Sequence, residues 1–392
     1  MKIGIVLSRT PGYSETFFIS KIKGLLTSGH EVVLLVQKRE SNFNLCTVKV
    51  APKITKNPLL MFFTSTLIFI KCIGKLNTVR RYYKLLKAEG YSKQKVFKSI
   101  YVNAHILTEK LDWLHFGFTT QAVGKEFVAK AIKAKMAISF RGFDIEHYPL
   151  EHPNSYQKVW QQVDKVHTIS NYLLEKAYTL GLPKNVSFQK ITPAIDATFF
   201  QLKKTPDFSF SNTIQFLTIG RYSWKKGFED TLVALRILKD KGFSFHYTLI
   251  GSGSKVEIER IQFIAQLLDL ENDVTLTGKL TKEEIKKHAE RAQVYIQYSI
   301  SEGFCNATLE AQSMGLLCVV SDAGGLPENV IHDTTGWVVP MLSPHLLASQ
   351  IEHVLSLPKQ HLQEITVTAK ERVKTQFSVL KQQEEFVAFY ES

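Results

Sequence analysis

The sequence predicts a pair of doubly wound α/β domains, and three observations carry the prediction. The chain has 392 residues, more than one hydrophobic core ordinarily supports. Its 44% hydrophobic and 22% charged content is that of a folded protein able to bury most of its length. Apolar runs of strand length alternate with helical patterns in both halves, and such runs belong in parallel sheets covered on both faces.

In the first half the strand-like runs fall at residues 2–7, 31–37, 112–116, 136–140, 165–170 and 186–192. The apolar stretch 3–7 is too short for the hydrophobic region of a secretory signal and reads as a first buried strand. Residues 59–70 form the longest mainly apolar run, interrupted by Thr64, Ser65 and Thr66. A membrane-spanning helix needs about 20 such residues, so none is expected. Residues 197–213, rich in Lys, Pro, Ser, Asp and Phe without periodicity, read as the connection between domains. The second half repeats the rhythm at 215–221, 246–251, 274–278, 294–299, 317–322 and 337–340. The expected division is 1–198 and 199–374, with a C-terminal helix of about 375–392 packing back on the first domain. Ligands of open α/β sheets bind beyond the carboxyl ends of the strands, so two such domains are expected to face each other across a cleft.

The net charge of +13 is unevenly spread. Residues 1–200 hold 29 Lys+Arg and 13 Asp+Glu, or +16, whereas residues 201–392 hold 20 and 23, or −3. Within 53–98, eleven basic residues face the single Glu89, interleaved with Leu59, Met61, Phe62, Phe63, Ile68, Phe69, Tyr82 and Tyr83. That mixture suits an anionic membrane surface; a solvated basic face over an ordinary core is the plainer alternative. No nucleic-acid partner is expected. Cys46, Cys72, Cys305 and Cys318 make neither a CxxC nor a zinc-ligand pattern, which points to a reducing cytoplasm.

Chemistry concentrates where predicted strands end. Gly220-Arg221 is followed by Lys225-Lys226-Gly227, and a guanidinium fork beside an ammonium suits a diphosphate whose charge grows as a bond to it breaks. After the run 294–299 comes Ser301-Glu302-Gly303-Phe304-Cys305-Asn306-Ala307-Thr308-Leu309-Glu310, which places Glu302 in a loop and Glu310 on the opening turns of a helix. The backbone N–H groups of that helix start are a cradle for an anion. Asp322-Ala323-Gly324-Gly325 adds a turn after the next strand. No carboxylate cluster suggests a bound metal, and the GxGxxG fingerprint of a nicotinamide oxidoreductase does not follow the first strand.

Taken in order, Gly220-Arg221, Lys226-Gly227, Gly251-Ser252-Gly253, Gly278, the Glu302-to-Glu310 block, Gly324-Gly325 with Glu328, and Thr335-Gly336 resemble the retaining GT-B glycosyltransferases of family 4 (group 1). Pro11-Gly12-Tyr13-Ser14-Glu15-Thr16 and Gly29-His30-Glu31 look like the branch that builds exopolysaccharide, capsule or O-antigen. The resemblance implies a GT-B architecture with an acceptor-binding N-terminal domain and a donor-binding C-terminal one. It also implies catalytic roles for Arg221, Lys226, Glu302 and Arg141, with the diphosphate on Arg221 and Lys226 and the donor sugar at Glu302. Gly12, Gly220, Gly251, Gly253, Gly303, Phe304, Cys305 and Asn306 would line the donor, Glu310 would hold its ribose, and His115 and Asp144 would face the acceptor. For Gly12 an ordinary tight turn, and for His115 a packed strand-end histidine, are the alternative readings.

One departure concerns Ser139-Phe140-Arg141-Gly142-Phe143-Asp144, where Arg141 stands in a place the branch commonly gives to histidine. Arginine stays protonated and cannot act as a base, so it would stabilise the leaving phosphate or position a hydroxyl. The resemblance thus implies a metal-independent, retaining transfer from a UDP- or GDP-sugar, with no further cofactor, to a saccharide or lipid-linked saccharide. The basic, apolar segment 53–98 points to peripheral attachment at the inner face of the cytoplasmic membrane. A catalytically degenerate sugar-nucleotide-binding subunit and a GT-B-type sugar-nucleotide epimerase are the rival readings.

Overall fold

A computed structural model describes residues 1–12, 16–40, 42–202, 206–210 and 212–392. The chain divides into two units, Met1–Thr192 with Leu380–Ser392, and Pro193–Val379.

The first unit carries seven strands: β1 (Lys2–Arg9), β2 (Glu31–Lys38), β3 (Thr47–Val50), β4 (Trp113–Phe116), β5 (Lys135–Phe140), β6 (Lys165–Thr168) and β7 (Ser187–Lys190). They lie in the order β3-β2-β1-β4-β5-β6-β7, and every ladder is parallel. The interior strands are apolar nearly throughout because helices cover both faces, and Val32, Val33, Leu34, Leu35 and Val36 are all buried. β3 has no counterpart among the expected strands. It is four residues long and mostly exposed at the sheet edge, so no apolar run announces it. Helix α1 (Thr16–Thr27) connects β1 to β2, and α2 (Pro58–Ile73), α3 (Leu76–Ala88) and α4 (Lys93–Leu107) fill the crossover from β3 to β4.

The end of the chain returns to this unit. The terminal helix expected over about 375–392 runs Val379–Glu391, and a separate helix, Lys359–Gln376, precedes it. Phe386, Phe389 and Tyr390 of Val379–Glu391 are buried with Ile3, Ile5 and Trp113. Trp113 Nε1 donates to the Tyr390 carbonyl at 3.1 Å and Lys165 Nζ to that of Phe389 at 2.7 Å.

The second unit carries β8 (Ile214–Ile219), β9 (Phe245–Ile250), β10 (Val274–Leu276), β11 (Val294–Gln297), β12 (Leu317–Ser321) and β13 (Trp337–Val339). Their order is β10-β9-β8-β11-β12-β13, again wholly parallel. Its core joins Phe216, Tyr247, Tyr298 and Trp337 to the helix Phe228–Asp240 through Leu232 and Leu235. Of the segment 197–213, read above as the connection, the described residues Phe200, Leu202 and Phe208 are buried and belong to this unit. Strand order reverses between β1 and β4 in one sheet and between β8 and β11 in the other. Those switch points are where open α/β sheets bind ligands.

Candidate functional site

At the β8/β11 switch, the loops leaving the carboxyl ends of four strands are laced together. After β8 the chain passes Gly220 and Arg221 and makes a short turn, Trp224–Lys226, before the helix Phe228–Asp240. The Lys225 carbonyl accepts from Ile300 N at 2.7 Å and fastens this turn to the loop after β11. Gly227 sits at φ +60, and a Cβ there would lie 2.1 Å from the Tyr298 carbonyl oxygen, so only glycine lets the two loops meet. Gly251, after β9, is pinned likewise: a Cβ would stand 1.7 Å from the Gly220 carbonyl oxygen. Tyr222 N donates to the Ser252 carbonyl at 2.9 Å, which brings the Gly251-Ser252-Gly253 turn against β8's loop. The turn after β12 joins through Gly325 N, which donates to the Glu302 carbonyl at 2.7 Å.

Within this frame Lys226 and Glu302 form an ion pair, each side chain less than one fifth exposed. Burial penalises the Lys226 ammonium, yet the Glu302 carboxylate outweighs it and holds its pKa above the ordinary lysine value; the charge of Arg221 works the other way. Arg221 itself is exposed. Gly303, Phe304 and Cys305 are buried, with Phe304 against Phe377 at 5.8 Å between ring centroids. Asn306 is the exposed first residue of the helix Asn306–Met314. No side chain caps that helix and its first turn holds no acid, so its leading N–H groups keep their affinity for an anion. Glu310 is half-buried one turn further on, and burial pushes its carboxyl up to about 7 while Lys282 pulls it back.

Sequence reasoning overlooked what holds this loop. Asn329 accepts from Cys305 N and donates to the Cys305 carbonyl, both at 3.0 Å, clamping the entry to the helix. Behind it Tyr295 donates to Gln297, whose amide donates to Ser299 Oγ, both at 2.7 Å. The usable signal was Gln297, a polar residue inside an otherwise apolar strand.

In the first unit, Gly12 closes the described part of the loop after β1; Tyr13, Ser14 and Glu15 lie outside the described residues. The Arg141 guanidinium, just past β5, stacks on Phe17 at 3.9 Å and on Phe18 at 4.7 Å, both on α1. Asp144 accepts from Arg141 N at 2.9 Å and from Thr119 N and Oγ1 at 3.1 and 3.0 Å. Burial raises its pKa although these donors favour the carboxylate. It is wholly enclosed, and so is His115. The expectation that these two side chains face an acceptor is corrected here: both point into the unit and brace the loops around them.

His115 belongs to a buried chain whose proton directions can be read off. The Ile191 carbonyl only accepts, so His167 Nε2 carries the proton at 2.9 Å. His167 Nδ1 then accepts from Ser139 Oγ at 2.8 Å, and Ser139 Oγ accepts from His115 Nε2 at 2.7 Å. That leaves the single lone pair of His115 Nδ1 to accept from Tyr390 at 2.6 Å, with Lys21 Nζ 3.1 Å from the same nitrogen. Both imidazoles are neutral in this chain, in keeping with burial and the Lys21 charge, which hold their pKa values well below the ordinary one. Lys21, 1% exposed, was not singled out in the sequence; burial and then the Arg141 charge lower its pKa strongly.

Among the described residues no three His, Cys, Asp or Glu side chains are grouped to hold a metal ion. None of the four cysteines is in a disulfide.

Comparison with known proteins adds the following. Residues 201–372 match the family described as Glycosyl transferases group 1. The amylovoran biosynthesis glycosyltransferase AmsK of Erwinia amylovora is 26% identical over 400 residues, spanning 96% of each chain. The Escherichia coli K12 protein WcaL, named for colanic acid biosynthesis glycosyl transfer, is 26% identical over 410 residues with the same coverage. The solved structure of Anabaena HepE in complex with UDP superposes with a TM-score of 0.71 at 15% identity, covering 99% of this chain and 98% of that one.

Proposed function

We propose that this chain, which has a GT-B fold and a glycosyl transferases group 1 domain, moves a sugar from a nucleoside-diphosphate donor to a saccharide or lipid-linked saccharide during assembly of a cell-surface polysaccharide. The observation that carries the reading is the β8/β11 switch point, where exposed Arg221 and the Lys226–Glu302 pair stand beside an uncapped helix start and Glu310. The names of AmsK and WcaL support the polymer class, and the UDP bound by HepE supports a UDP-sugar as donor.

In this reading Glu310 accepts from the ribose hydroxyls, and the diphosphate lies against the first N–H groups of Asn306–Met314. Breaking the sugar–phosphate bond leaves both electrons on the phosphate oxygen, where Arg221 and Lys226 offset the charge that develops. The acceptor hydroxyl attacks the anomeric carbon from the leaving-group side, and its proton passes to the departing phosphate. Configuration is then retained without a protein nucleophile. Lys226 occupies the Glu302 carboxylate, which suits Glu302 to orienting the donor sugar rather than attacking it. The two cations take the electrostatic part that a metal plays elsewhere, so transfer is expected to survive chelation. Arg141, rigid on its phenylalanines, serves as a fixed positive charge toward phosphate or hydroxyl. This reading puts the reaction at the inner face of the cytoplasmic membrane, with residues 53–98 as the attachment.

A nucleotide-sugar screen followed by steady-state kinetics tests this. A true donor at one hundred times its Kd stabilises the fold by about 2.7 kcal/mol. Lys226→Ala is expected to lower kcat and Glu310→Ala to raise KM for the donor. Folded variants with unaltered kinetics would remove the donor site from this place in the fold.

A further inference from the structure

Helix α2 is amphipathic the wrong way round for a protein surrounded only by water. Its packed side is Met61, Thr64, Ser65, Ile68 and Cys72, whereas its open side is Leu59, Leu60, Phe62, Phe63, Leu67, Ile70 and Ile73. Leu59 is 72% exposed, Phe62 68%, Phe63 64% and Leu67 61%. The apolar surface continues through Phe69 to Phe97 of α4, 6.4 Å apart, and into a groove of about 420 Å³ whose lining includes Ile54, Met61 and Tyr101. Contiguous exposed apolar surface of this kind marks a binding face.

Two features name its occupant. The sequence from Ser41 to Ala88 contains no Asp or Glu, while Lys53, Lys56, Lys71 and Lys98 are exposed on and beside the helix, so the rim is positive around an apolar centre. The hydroxyls that face outward are already satisfied: Thr66 Oγ1 donates to the Phe62 carbonyl at 2.9 Å, and Asn57 caps the helix start by accepting from Leu59 N and Leu60 N. Burying Thr66 in an oily phase therefore leaves its hydroxyl donor satisfied. No single helix is long and apolar enough to cross a bilayer, and α2 meets α3 at a bend of 110°.

We propose that α2 lies in the plane of an anionic lipid bilayer, with Leu59, Phe62, Phe63, Leu67 and Ile70 inserted among the acyl chains and the surrounding lysines on the headgroup phosphates. The inference rests on the membrane attachment assigned to residues 53–98 and changes its character: insertion anchors the protein, and charge selects the leaflet. Two parts of that segment drop out of the contact, because Tyr82 is fully buried and Arg81 Nε donates to the Ala131 carbonyl at 2.9 Å.

Co-sedimentation of the full chain with vesicles of phosphatidylcholine alone, or mixed with phosphatidylglycerol, tests the proposal across a salt series. Binding to the anionic vesicles is expected to weaken with salt yet persist in part at high salt. Phe62→Ser, Phe63→Ser and Leu67→Ser together should lower the partition coefficient at least tenfold at every salt concentration, with thermal unfolding and turnover of a short soluble acceptor unchanged. The milder change Phe63→Trp places an indole on the inserted face, and brominated lipid should quench that variant more strongly than the parent chain. Sedimentation that vanishes at high salt, with the introduced indole unquenched, would overturn insertion while leaving a purely electrostatic attachment standing. No sedimentation with either vesicle would overturn both, and neither result touches the donor site of the other unit.

Discussion

With the ribose placed at Glu310 as proposed, a carboxyl pushed up to about 7 by burial against the pull of Lys282 would make donor binding depend on pH. A ribose hydroxyl donates more strongly to the carboxylate than to the neutral acid, so affinity is expected to rise as pH climbs through that value. Calorimetric titration with UDP-glucose is expected to show tighter binding with rising pH, by at most about tenfold per unit below 7. Glu310→Gln should flatten the profile; a flat profile in the parent chain would remove Glu310 from the ribose. His115 and His167 act on stability with the opposite partner state. Their folded pKa values are depressed below 6.5, so the unfolded chain takes up protons first. Their contribution is therefore complete above about 6.5 and lost as pH falls, and the urea midpoint should drop between neutral and mildly acidic buffer. Ser139→Ala leaves His115 Nε2 and His167 Nδ1 without their shared partner, a loss of about 1–3 kcal/mol in the same measurement.

Elements meet at this site only where particular small or amide residues permit it. Gly227 carries the β8 loop under Tyr298, and Gly227→Ala would combine a left-handed backbone with a 2.1 Å contact to a carbonyl oxygen. The backbone conformation alone costs about 1–3 kcal/mol. The expected outcome is a destabilised second unit with nucleotide-sugar affinity lost disproportionately, read by denaturation and by titration on the fraction that stays folded. Gly227 was visible in the sequence as part of a motif, whereas Asn329 was not. Its two bonds to Cys305 bridge 24 residues, a pairing that no local pattern encodes. The same limit hid β3, whose Thr-Val-Lys-Val alternation is too short to stand out, and Lys21, whose burial depends on Phe386 and Tyr390 arriving from the far end of the chain.

At the scale of the whole molecule, the last helix makes the first unit discontinuous in sequence. Phe386 is fully buried among residues of β1, β2 and α1. Phe386→Ala is expected to destabilise that unit by about 3–5 kcal/mol. Hydrogen exchange should show lost protection in β1, β2 and β4 while β8, β9 and β11 keep theirs; uniform loss across both sheets would mean that the two units unfold as one. The uneven charge runs the same way, since residues 1–200, which carry α2 and its lysines, hold +16 while residues 201–392 hold −3.

Period, composition and motif order were enough, by themselves, to specify two parallel α/β units and most of their strands, and to mark the loops after β8 and β11 as the candidate site. These are local properties: a strand buried on both faces must be apolar along its length, and a loop that approaches phosphate must carry glycine and cations close together. Tertiary structure alone decided which side chains turn inward. His115 and Asp144 have the same sequence signature whether they line a surface or brace a core, and folding encloses both. It alone decided, too, that α2 turns Thr64 and Ser65 toward the protein and its phenylalanines outward, because a helical period gives the two faces and not which of them the neighbouring helices cover.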